Sequence, residues 1–448
     1  MTAVELPEGL LQRVSKAVDS VRECSQVRLI SHYDADGISS AGVLSKSLLK
    51  AGIGIHVTMA KSLDEEMIER LSSEAHDCIV FSDMGSGMLR ELESLNTKVV
   101  VLDHHRPQGD SDEVIQVNPH IWGIDGMTGS SASAVCMLFA ITMDEGNWPL
   151  LPVAFAGIAG DRQDIRELTG VNGWLLNKGK SRNLVEVRRR SLVPRGPLGD
   201  IAKSFEPYLL GFSGSEEGIA SLLGQAGLTS EERGDSIDER KRRKLASLII
   251  LSLLEQGVES ATLDELTGET YYFPSWNMES GDLASLLNAC GRMGMEGTGL
   301  SLTLGDPRAL EKARTLGADY DSEVLTALTG IEDRIEQMDN IQFFHNQNPS
   351  LSGVVCGITM QYIADKNKPT LALAEKGGKL RISSRATFPL LERGVDLSEA
   401  LRQGAEKAGG LGGGHAIASG ATIPVEKEKH FLEAVNSIVG EQKVLRNK

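Results

Sequence analysis

The stretch Lys98-Val99-Val100-Val101-Leu102-Asp103-His104-His105-Arg106-Pro107 decides the predicted fold. Its apolar run fits a short strand buried on both faces, as in a parallel sheet, with a polar trio at its carboxyl end. In open α/β sheets that end is where ligands bind. Asp103, His104 and His105 offer oxygen and nitrogen ligands together, which suits Mn²⁺ or a similar divalent ion. A polar turn after a strand is the alternative, and other stretches must decide between the two.

The same unit of apolar strand and acid recurs in the first part of the chain. A predicted strand over Val27–Ser31 is followed by Asp34 and Asp36, and a strand over Cys78–Phe81 is followed by Asp83. Further patterns predict a strand at 54–59 and helices at 41–51, 62–73 and 88–95. Strands that alternate with helices indicate a parallel sheet with right-handed crossovers, so three strands bring carboxylates to one edge. Acids clustered there repel one another unless a cation lies among them, which predicts a metal site.

Two apolar stretches rich in small residues, 131–143 and 150–160, predict buried helices. Asp161 directly follows the second stretch and is a further candidate ligand. The hydroxyl-rich run Thr128–Ser133 predicts the N-terminus of the first helix. An anion could rest there, although an N-cap is the simpler role.

Length and charge restrict the function. The 448 residues suit two or three domains, and 24% charged with 41% apolar residues is an ordinary globular composition. The formal net charge of −16 argues against broad binding to duplex DNA, so any contact with nucleic acid must be local. Two basic clusters could make such contact, although most basic runs are solvated helix faces. They comprise Lys178, Lys180, Arg182, Arg188, Arg189 and Arg190, and Arg240, Lys241, Arg242, Arg243 and Lys244.

The five cysteines are widely spread and form no C-x-x-C pair, so we predict core residues rather than disulfides or a zinc ribbon. The sequence contains nothing close to a run of 18 apolar residues, and Met1–Glu5 lacks the features of a signal peptide. We therefore expect a cytoplasmic protein without membrane contact.

These motifs resemble a known family. His32-x-Asp34-x-Asp36-Gly37, the lone Asp83, Asp103-His104-His105 and Gly160-Asp161 are similar to four successive motifs of the DHH phosphoesterases. Near the other end, Gly412-Gly413-Gly414-His415-Ala416-x-Ala418-x-Gly420 resembles the signature of the accompanying DHHA1 domain. The long middle segment and the patterns near Pro207 and Gly211 look most like the archaeal RecJ-like, GINS-associated single-strand nucleases.

The resemblance implies a catalytic site with two divalent ions, Mn²⁺ preferred and Mg²⁺ as the alternative. It implies that the ligands are Asp34, Asp36, Asp83, His104 and Asp161, with Asp83 as the bridge. Asp103 is expected either to bind metal or to orient a histidine, and His105 to be a ligand or a phosphate contact. His32 is a candidate only, because relatives place a ligand histidine four residues before the first acid, where this chain has Ile30.

The DHHA1 resemblance implies a substrate clamp. Gly412, Gly413 and Gly414 would bring backbone N–H groups against a phosphate, and His415 would add a polar or cationic tip. Arg385 is a candidate phosphate contact, with a surface salt bridge as the equal alternative.

The predicted fold is α/β and has three parts. We predict a parallel-sheet DHH domain over 1–211, an inserted mainly helical domain over 212–346 and a smaller α/β DHHA1 domain over 347–448. Within the insert, helices are predicted at 219–228, 245–255 and 309–338 and a hairpin at 263–272; a strand is predicted at 353–357. By resemblance the insert binds GINS or the replicative helicase, with a plain structural cap as the alternative.

Three functions remain under consideration. The preferred one is a metal-dependent phosphodiesterase that acts as a single-strand-specific exonuclease on DNA or RNA in replication or repair. The first alternative is a phosphodiesterase for oligonucleotides or cyclic dinucleotides, for which an acidic net charge is no handicap. The second is a non-catalytic scaffold of the replicative helicase, against which the intact motifs speak.

Overall fold

The computed structural model describes residues 5–445, and the first part of the chain alternates helices and strands as predicted. Its elements are α1 (Glu8–Arg22), β1 (Gln26–His32), α2 (Ala35–Lys50), β2 (Gly54–Ala60), α3 (Glu65–Ser73), β3 (Cys78–Ser82), α4 (Leu89–Glu93), β4 (Lys98–Leu102), β5 (Ile115–Val117), α5 (Ala132–Met143), α6 (Leu151–Gly160), α7 (Gly170–Ser181) and β6 (Glu186–Arg189).

Strands β1 to β5 form one parallel sheet in the order β2-β1-β3-β4-β5. All of β3 is buried, and only the first residue of β4 is exposed, as expected for strands covered on both faces. Because β1, β3 and β4 run parallel, the acids that follow them lie at the same edge. The predicted parallel sheet is confirmed.

Apolar side chains cover both faces of this sheet. Helices α1, α5 and α6 supply the larger cluster, and α3 and α4 supply the smaller one on the other side. Removal of this apolar surface from water is the main favourable contribution to folding. All five cysteines are buried and free, which confirms their predicted role as core residues.

The middle of the chain is mainly helical, as predicted. It contains α8 (Glu216–Ala226), α9 (Glu239–Glu255), α10 (Ser260–Leu266), β7 (Glu269–Phe273), β8 (Met278–Glu279), α11 (Ser280–Arg292), α12 (Glu296–Thr303) and α13 (Pro307–Leu328). The hairpin predicted at 263–272 is wrong in its first half, because that half is helical. The aromatic-rich strand β7 instead pairs with β8 and with β6, and Tyr271 and Phe273 join the core of the first sheet.

The last part of the chain forms a mixed sheet in the order β13-β14-β12-β11-β10-β9. Its elements are β9 (Glu336–Gln337), β10 (Gln342–His345), α14 (Ser352–Ile358), β11 (Thr370–Lys376), β12 (Lys379–Arg385), α15 (Phe388–Glu392), α16 (Leu397–Lys407), β13 (Leu411–Gly414), β14 (Ala418–Pro424) and α17 (Glu428–Leu445). The strand predicted at 353–357 is wrong, since α14 occupies it; a short apolar run does not distinguish a strand from a buried helix. The α/β fold class is confirmed.

Two compact units emerge from the contacts within the chain. One comprises Met1–Arg190 with Gly268–Tyr320, and the other comprises Ser191–Thr267 with Asp321–Lys448. The predicted insert is therefore shared between the units, and a boundary falls inside α13. The three-domain division at 211/212 and 346/347 stays a prediction. Among the helices of residues 5–445, none has the length and apolarity needed to cross a membrane.

Candidate metal centre

The acids and histidines singled out in the first unit converge at the carboxyl edge of the parallel sheet. His32 ends β1, Asp34 caps α2, Asp83 follows β3, and Asp161 ends α6. We call the converging side chains the acid–histidine cluster; its members are His32, Asp34, Asp36, Asp83, Asp103, His104, His105 and Asp161. Within each of three overlapping groups, the possible ligand atoms lie within 4.8 Å of one another. These groups are His32, Asp34 and Asp83; Asp36, His104 and Asp161; and Asp83, Asp103, His104 and His105.

Asp83 connects two of these groups through its two carboxylate oxygens. Oδ2 lies 3.3 Å from His32 Nδ1, whereas Oδ1 lies 3.3 Å from His104 Nε2 and 3.8 Å from His105 Nδ1. The side chain is 3% exposed, and the backbone adopts a left-handed conformation with φ 58°. The backbone N–H donates to the carbonyl of Leu102 at 3.1 Å. This turn aims the carboxylate into the centre of the cluster.

In the neutral ring of His104, the nitrogen without a proton is Nε2, and it faces carboxylates. Nδ1 lies 2.7 Å from the carbonyl oxygen of Gly126, which can only accept, so Nδ1 carries the proton. Nε2 lies 3.3 Å from both Asp83 and Asp161, and 4.0 Å from Asp36. A lone pair among three carboxylates is unfavourable unless a proton or a metal ion lies between them. A backbone carbonyl that fixes the tautomer in this way is typical of metal-binding histidines.

His32 also directs a ring nitrogen, Nδ1, at two carboxylates, on the other side of the cluster. Its buried Nδ1 lies 2.9 Å from Asp34 Oδ2 and 3.3 Å from Asp83 Oδ2, yet the angles fit a hydrogen bond to neither. A buried nitrogen without a hydrogen-bond partner is unusual and needs an explanation. A cation shared with the two carboxylates would provide one, so these side chains fit a divalent ion that accepts oxygen and nitrogen ligands.

Asp36 is held by the helix that the hydroxyl-rich run begins. Its two oxygens accept from the backbone N–H groups of Ala132 at 2.7 Å and Ser133 at 3.0 Å, at the start of α5. Ser131 caps this helix. The anion at this helix N-terminus is thus the Asp36 carboxylate itself. Gly157 of α6 makes room for it, because a Cβ there would lie 2.3 Å from Asp36 Oδ1.

Asp103 is fully buried, and protein donors use both of its oxygens. Oδ1 accepts from the backbone N–H of His104 and lies 2.8 Å from His105 Nδ1, while Oδ2 accepts from the N–H of Ser86. With Nδ1 of His105 donating, its Nε2 is an acceptor in the neutral ring and a donor in the protonated ring. The side chain of His105 is 49% exposed, so this nitrogen is accessible to a ligand or solvent. The geometry therefore suits Asp103 as the residue that orients His105.

Burial and the crowding of charges shift the pKa values of the side chains in the cluster. Burial disfavours the charged form of His32, but the carboxylates of Asp34 and Asp83 outweigh it and raise the imidazole pKa to about 11. Burial, reinforced by the charge of Asp83, raises the pKa of Asp36 to about 6. Burial also raises the pKa of Asp161 well above its usual range. The pKa of His104 is raised well above its ordinary value because nearby carboxylates overcome its burial. The cluster thus retains protons that a divalent cation would replace.

Several supporting residues escaped prediction from the sequence. Gln163 donates to the carbonyl oxygens of Gly126 and Ser130 and accepts from Asn172, so a buried amide network holds the carbonyl that orients His104. The glycine at 126 is required because a Cβ there would lie 1.9 Å from the carbonyl oxygen of His104. Isolated Gln and Asn residues form no recognisable motif, so the sequence alone does not single them out.

Helix α11 contacts the loop at 33–35, more than 240 residues earlier in the sequence. Asn288 accepts from the backbone N–H of Ala35 at 3.0 Å, and Arg292 donates to the hydroxyl of Tyr33 at 2.9 Å. Lys61 and Arg292 both lie over the ring of Tyr33, at 5.6 and 5.5 Å from its centroid. Two exposed cations therefore flank the loop that carries Asp34.

Apart from His105, the residues predicted to bind substrate lie in the second unit. Strands β13 and β14 form what we call the glycine hairpin, Leu411–Pro424, and Arg385 of β12 is paired with Ala418 of β14. A Cβ at Gly412 would meet the carbonyl oxygen of Leu401 at 2.5 Å, and one at Gly414 would meet Ser419 at 2.9 Å. Packing thus explains these two glycines. At Gly413 nothing lies within 4 Å of such a Cβ, and His415 at the turn is exposed.

Comparison with known proteins agrees with this architecture. The model of the DHH family, N-terminal domain, matches residues 26–158, and the model of the DHHA1 domain matches residues 340–441. An uncharacterized protein of Methanocaldococcus jannaschii is 29% identical over 444 residues, which are 96% of this chain and 98% of that protein. The single-stranded-DNA-specific exonuclease RecJ of Thermus thermophilus is 27% identical over 184 residues, 39% of this chain and 28% of RecJ.

Solved structures share the fold at low sequence identity. T. thermophilus RecJ in complex with Mn²⁺ superposes with a TM-score of 0.61 at 19% identity, covering 98% of this chain and 56% of that one. CDC45 from Entamoeba histolytica gives a TM-score of 0.65 at 11% identity, covering 96% and 99%. This chain thus spans little more than half of the bacterial nuclease and nearly all of CDC45. With both domain models matched in order and the motif residues gathered at one sheet edge, the chain carries a DHH-family N-terminal domain and a DHHA1 domain and has a RecJ-like fold.

Proposed function

We propose that this protein is a metal-dependent phosphodiesterase that degrades single-stranded nucleic acid from an end, in DNA replication or repair. The observation that carries the proposal is the Asp83 carboxylate, whose two oxygens face two separate groups of oxygen and nitrogen ligands. A carboxylate in that position suits a bridge between two divalent cations. A pair of such ions activates water and stabilises the leaving oxygen in a displacement at phosphorus.

The residues divide into two ligand sets and a set of positioning groups. His32, Asp34 and Asp83 Oδ2 would hold one ion, and Asp36, His104, Asp161 and Asp83 Oδ1 would hold the other. Burial opposes protonation of His105, but the Asp103 carboxylate that orients the ring raises the imidazole pKa, so the accessible Nε2–H of the protonated ring would donate to a phosphate oxygen. The mixture of carboxylate and imidazole favours Mn²⁺ over Mg²⁺, because Mg²⁺ prefers oxygen ligands.

A polyanionic substrate is supported by the cations around Tyr33. Lys61 and Arg292 are exposed beside a cluster that is otherwise acidic. They would attract and position a phosphate next to the metal site, where the protein's net charge of −16 would otherwise repel it. In the second unit, the open backbone at Gly413 and the exposed imidazole of His415 suit a further phosphate contact.

The decisive experiment offers the purified chain a matched set of substrates. These are single strands of DNA and RNA labelled at either end, the corresponding duplex, a linear dinucleotide and a cyclic dinucleotide, each with Mn²⁺, with Mg²⁺ and with EDTA. We expect Mn²⁺-dependent, progressive shortening of single strands from one end. Asp83→Asn should abolish it, whereas Asp112→Asn, which removes an exposed acid outside the cluster, should not.

Other results would contradict the proposed function. Cleavage confined to dinucleotides would identify an oligonucleotide or cyclic-dinucleotide phosphodiesterase. Full cleavage after dialysis against EDTA would exclude the metal mechanism. A chain that hydrolyses none of these substrates under any metal would be a scaffold, in keeping with its CDC45-like fold.

We further propose that the inserted stretch 212–346 binds GINS or another part of the replicative helicase. Helix α9 exposes two leucines in this stretch, Leu251 at 54% and Leu254 at 51%, although its opposite face is buried. Two neighbouring exposed leucines give this helix an apolar surface, and protein contacts are found where such surfaces form a contiguous patch.

A pull-down with purified GINS tests this partner. Leu251→Asp with Leu254→Asp should remove the association while strand hydrolysis survives. Leu49→Asp is the matched control, since Leu49 is 55% exposed on α2 of the first unit. Unchanged capture by the double variant would rule out α9 as the contact.

A further inference from the structure

The two basic clusters of the sequence differ in how their charges are balanced. On α9, Lys241 lies 3.5 Å from Glu232 and Arg243 lies 2.9 Å from Glu239, and Arg242 is also within 4.0 Å of Glu239. These cations belong to a solvated face with its own counter-charges. In the cluster around α7, by contrast, the cations at the end of the helix lack such counter-charges among the described residues.

Three cations at the C-terminal end of α7, namely Lys178, Lys180 and Arg182, are exposed. We call them the α7 patch. Within residues 5–445, none of them lies at ion-pair distance from a carboxylate, whereas Arg188 pairs with Glu186 and Arg190 with Asp164. The stretch 174–195 holds seven Lys and Arg residues against one Glu, in a chain whose net charge is −16. Positive charge is therefore concentrated in this stretch, and within the described residues the three cations of the α7 patch have no carboxylate at ion-pair distance.

Two tryptophans hold part of the α7 patch in place. Arg182 stacks on Trp148 with its guanidinium carbon 4.2 Å from the ring centroid, and the ammonium of Lys178 lies 5.5 Å from the centroid of Trp174. The two indoles are themselves in contact, with centroids 6.2 Å apart. Cations fixed in this way lose less side-chain entropy when an anion binds. The helix dipole favours basic residues at the C-terminal end of α7. It does not explain why two of them lie over the rings of Trp148 and Trp174.

We propose that the α7 patch is a second binding surface for the phosphates of a nucleic acid strand, separate from the acid–histidine cluster. The inference rests on the proposed function, because it takes the polyanion to be the substrate strand. Polyanion binding supplies the missing counter-charge, and the gain comes from the release of ions condensed on the strand. The surface contributes affinity for long strands and takes no part in bond cleavage.

Salt-dependent binding of a labelled single strand to the full-length protein in EDTA tests the patch. For Lys178→Gln/Lys180→Gln/Arg182→Gln we expect the slope of log K against log salt to fall by about 2, at about 0.7 per lost phosphate contact. We expect affinity for long strands to fall about tenfold or more at low salt. Hydrolysis of a dinucleotide with Mn²⁺ should be unchanged.

Matched variants separate a binding role from a structural one. Lys241→Gln/Arg243→Gln/Lys244→Gln on α9 removes the same charge and should leave the slope as in the parent. Lys180→Gln touches neither indole, so it should lower the slope by about 0.7 even if the triple variant misfolds. Arg182→Lys keeps the charge and should retain most of the affinity.

The outcomes distinguish this inference from the proposed function. If the parent binds and degrades strands but Lys180→Gln and the triple variant keep its slope, the α7 patch is not a strand contact, and an acidic protein would become its expected partner. An equal loss of slope from the α9 variant would also overturn the inference, since only total charge would then matter. If the parent neither binds nor cleaves any strand, the proposed function itself fails.

Discussion

At the carboxyl edge of the parallel sheet the proposed functional groups are side chains, and hydrogen bonds from neighbours hold the carboxylates of Asp36 and Asp103 and the ring of His104. In the glycine hairpin the proposed contacts are backbone groups, and the one side chain proposed to bind phosphate, His415, is exposed. The first region needs many residues to hold like charges together in a buried space. The second needs only the absence of side chains at an edge strand. Substitutions should therefore disable the first region and merely weaken the second.

The largest expected effect comes from removing a ligand. His104→Ala should lower strand hydrolysis by roughly a thousandfold or more, because it takes away a nitrogen that faces three carboxylates. Calorimetric titration with Mn²⁺ should show the loss of binding directly. His56→Ala removes an exposed imidazole from β2 and should change neither measurement. Near-parental rates in His104→Ala would show that the cluster is not the catalytic centre.

A smaller but still large effect should follow from filling the space beside Asp36. In Gly157→Ala the new Cβ would lie 2.3 Å from Asp36 Oδ1 and 2.1 Å from Ser133 Oγ, so the carboxylate must move. We expect a destabilisation of about 1–3 kcal/mol together with weaker Mn²⁺ binding. Gly224→Ala is the control: nothing lies within 4 Å of a Cβ there, and alanine in α8 should stabilise the protein slightly. Thermal unfolding and metal titration of both variants would show whether Asp36 depends on Gly157.

In the glycine hairpin the expected effect is smaller and of another kind. His415→Ala should raise KM on long strands about ten- to a hundredfold, the value of one lost contact to a charged phosphate, with a smaller loss of kcat. Its affinity for Mn²⁺ should equal that of the parent. His345→Ala removes another exposed imidazole from the same sheet and should leave KM unchanged. If His415→Ala weakens metal binding as much as His104→Ala, the contrast between the two regions is false.

The smallest effect concerns pH and stability in the absence of divalent ions. Asp36, with a pKa raised to about 6, retains a proton in the folded state that the unfolded chain releases, so stability falls as pH rises from about 4 to 6. His32, with a pKa near 11, continues the fall above about 6.5. After dialysis against EDTA, the Tm should therefore drop by a few degrees between about pH 5 and 8. Added Mn²⁺ should raise the Tm more at the higher pH, and a Tm that rises with pH in EDTA would contradict the titration argument.

The sequence predicted those features that follow from strand periodicity. Asp34, Asp83 and Asp103 each follow an apolar run, and parallel strands bring such positions to one edge whatever the intervening helices do. The sequence alone therefore predicts that these acids lie together. An anion at the N-terminus of α5 is one of two roles that the hydroxyl-rich run predicts, but nothing in the run identifies that anion as Asp36.

Features that depend on distant packing could not be predicted. Nothing in the pattern of α11 indicates that Asn288 and Arg292 lie against the loop of Asp34. The run from Ser352 to Ile358 has the composition of a short strand, and only its surroundings make it helical. Two of the three consecutive glycines are explained by close packing against Leu401 and Ser419, which a lone glycine triplet cannot reveal.

The left-handed backbone at Asp83 has a consequence for the descent of such proteins. A non-glycine residue with φ 58° costs about 1–3 kcal/mol, and Asp83 is also a buried acid among other acids. On the proposed function, selection for catalysis keeps this acid, because glycine would adopt the conformation without a steric cost. In a lineage that stopped using the metal, mutation would replace Asp83 early, and the protein would gain stability as it lost activity. The residue at position 83 should thus indicate whether a protein of this fold still uses a metal ion.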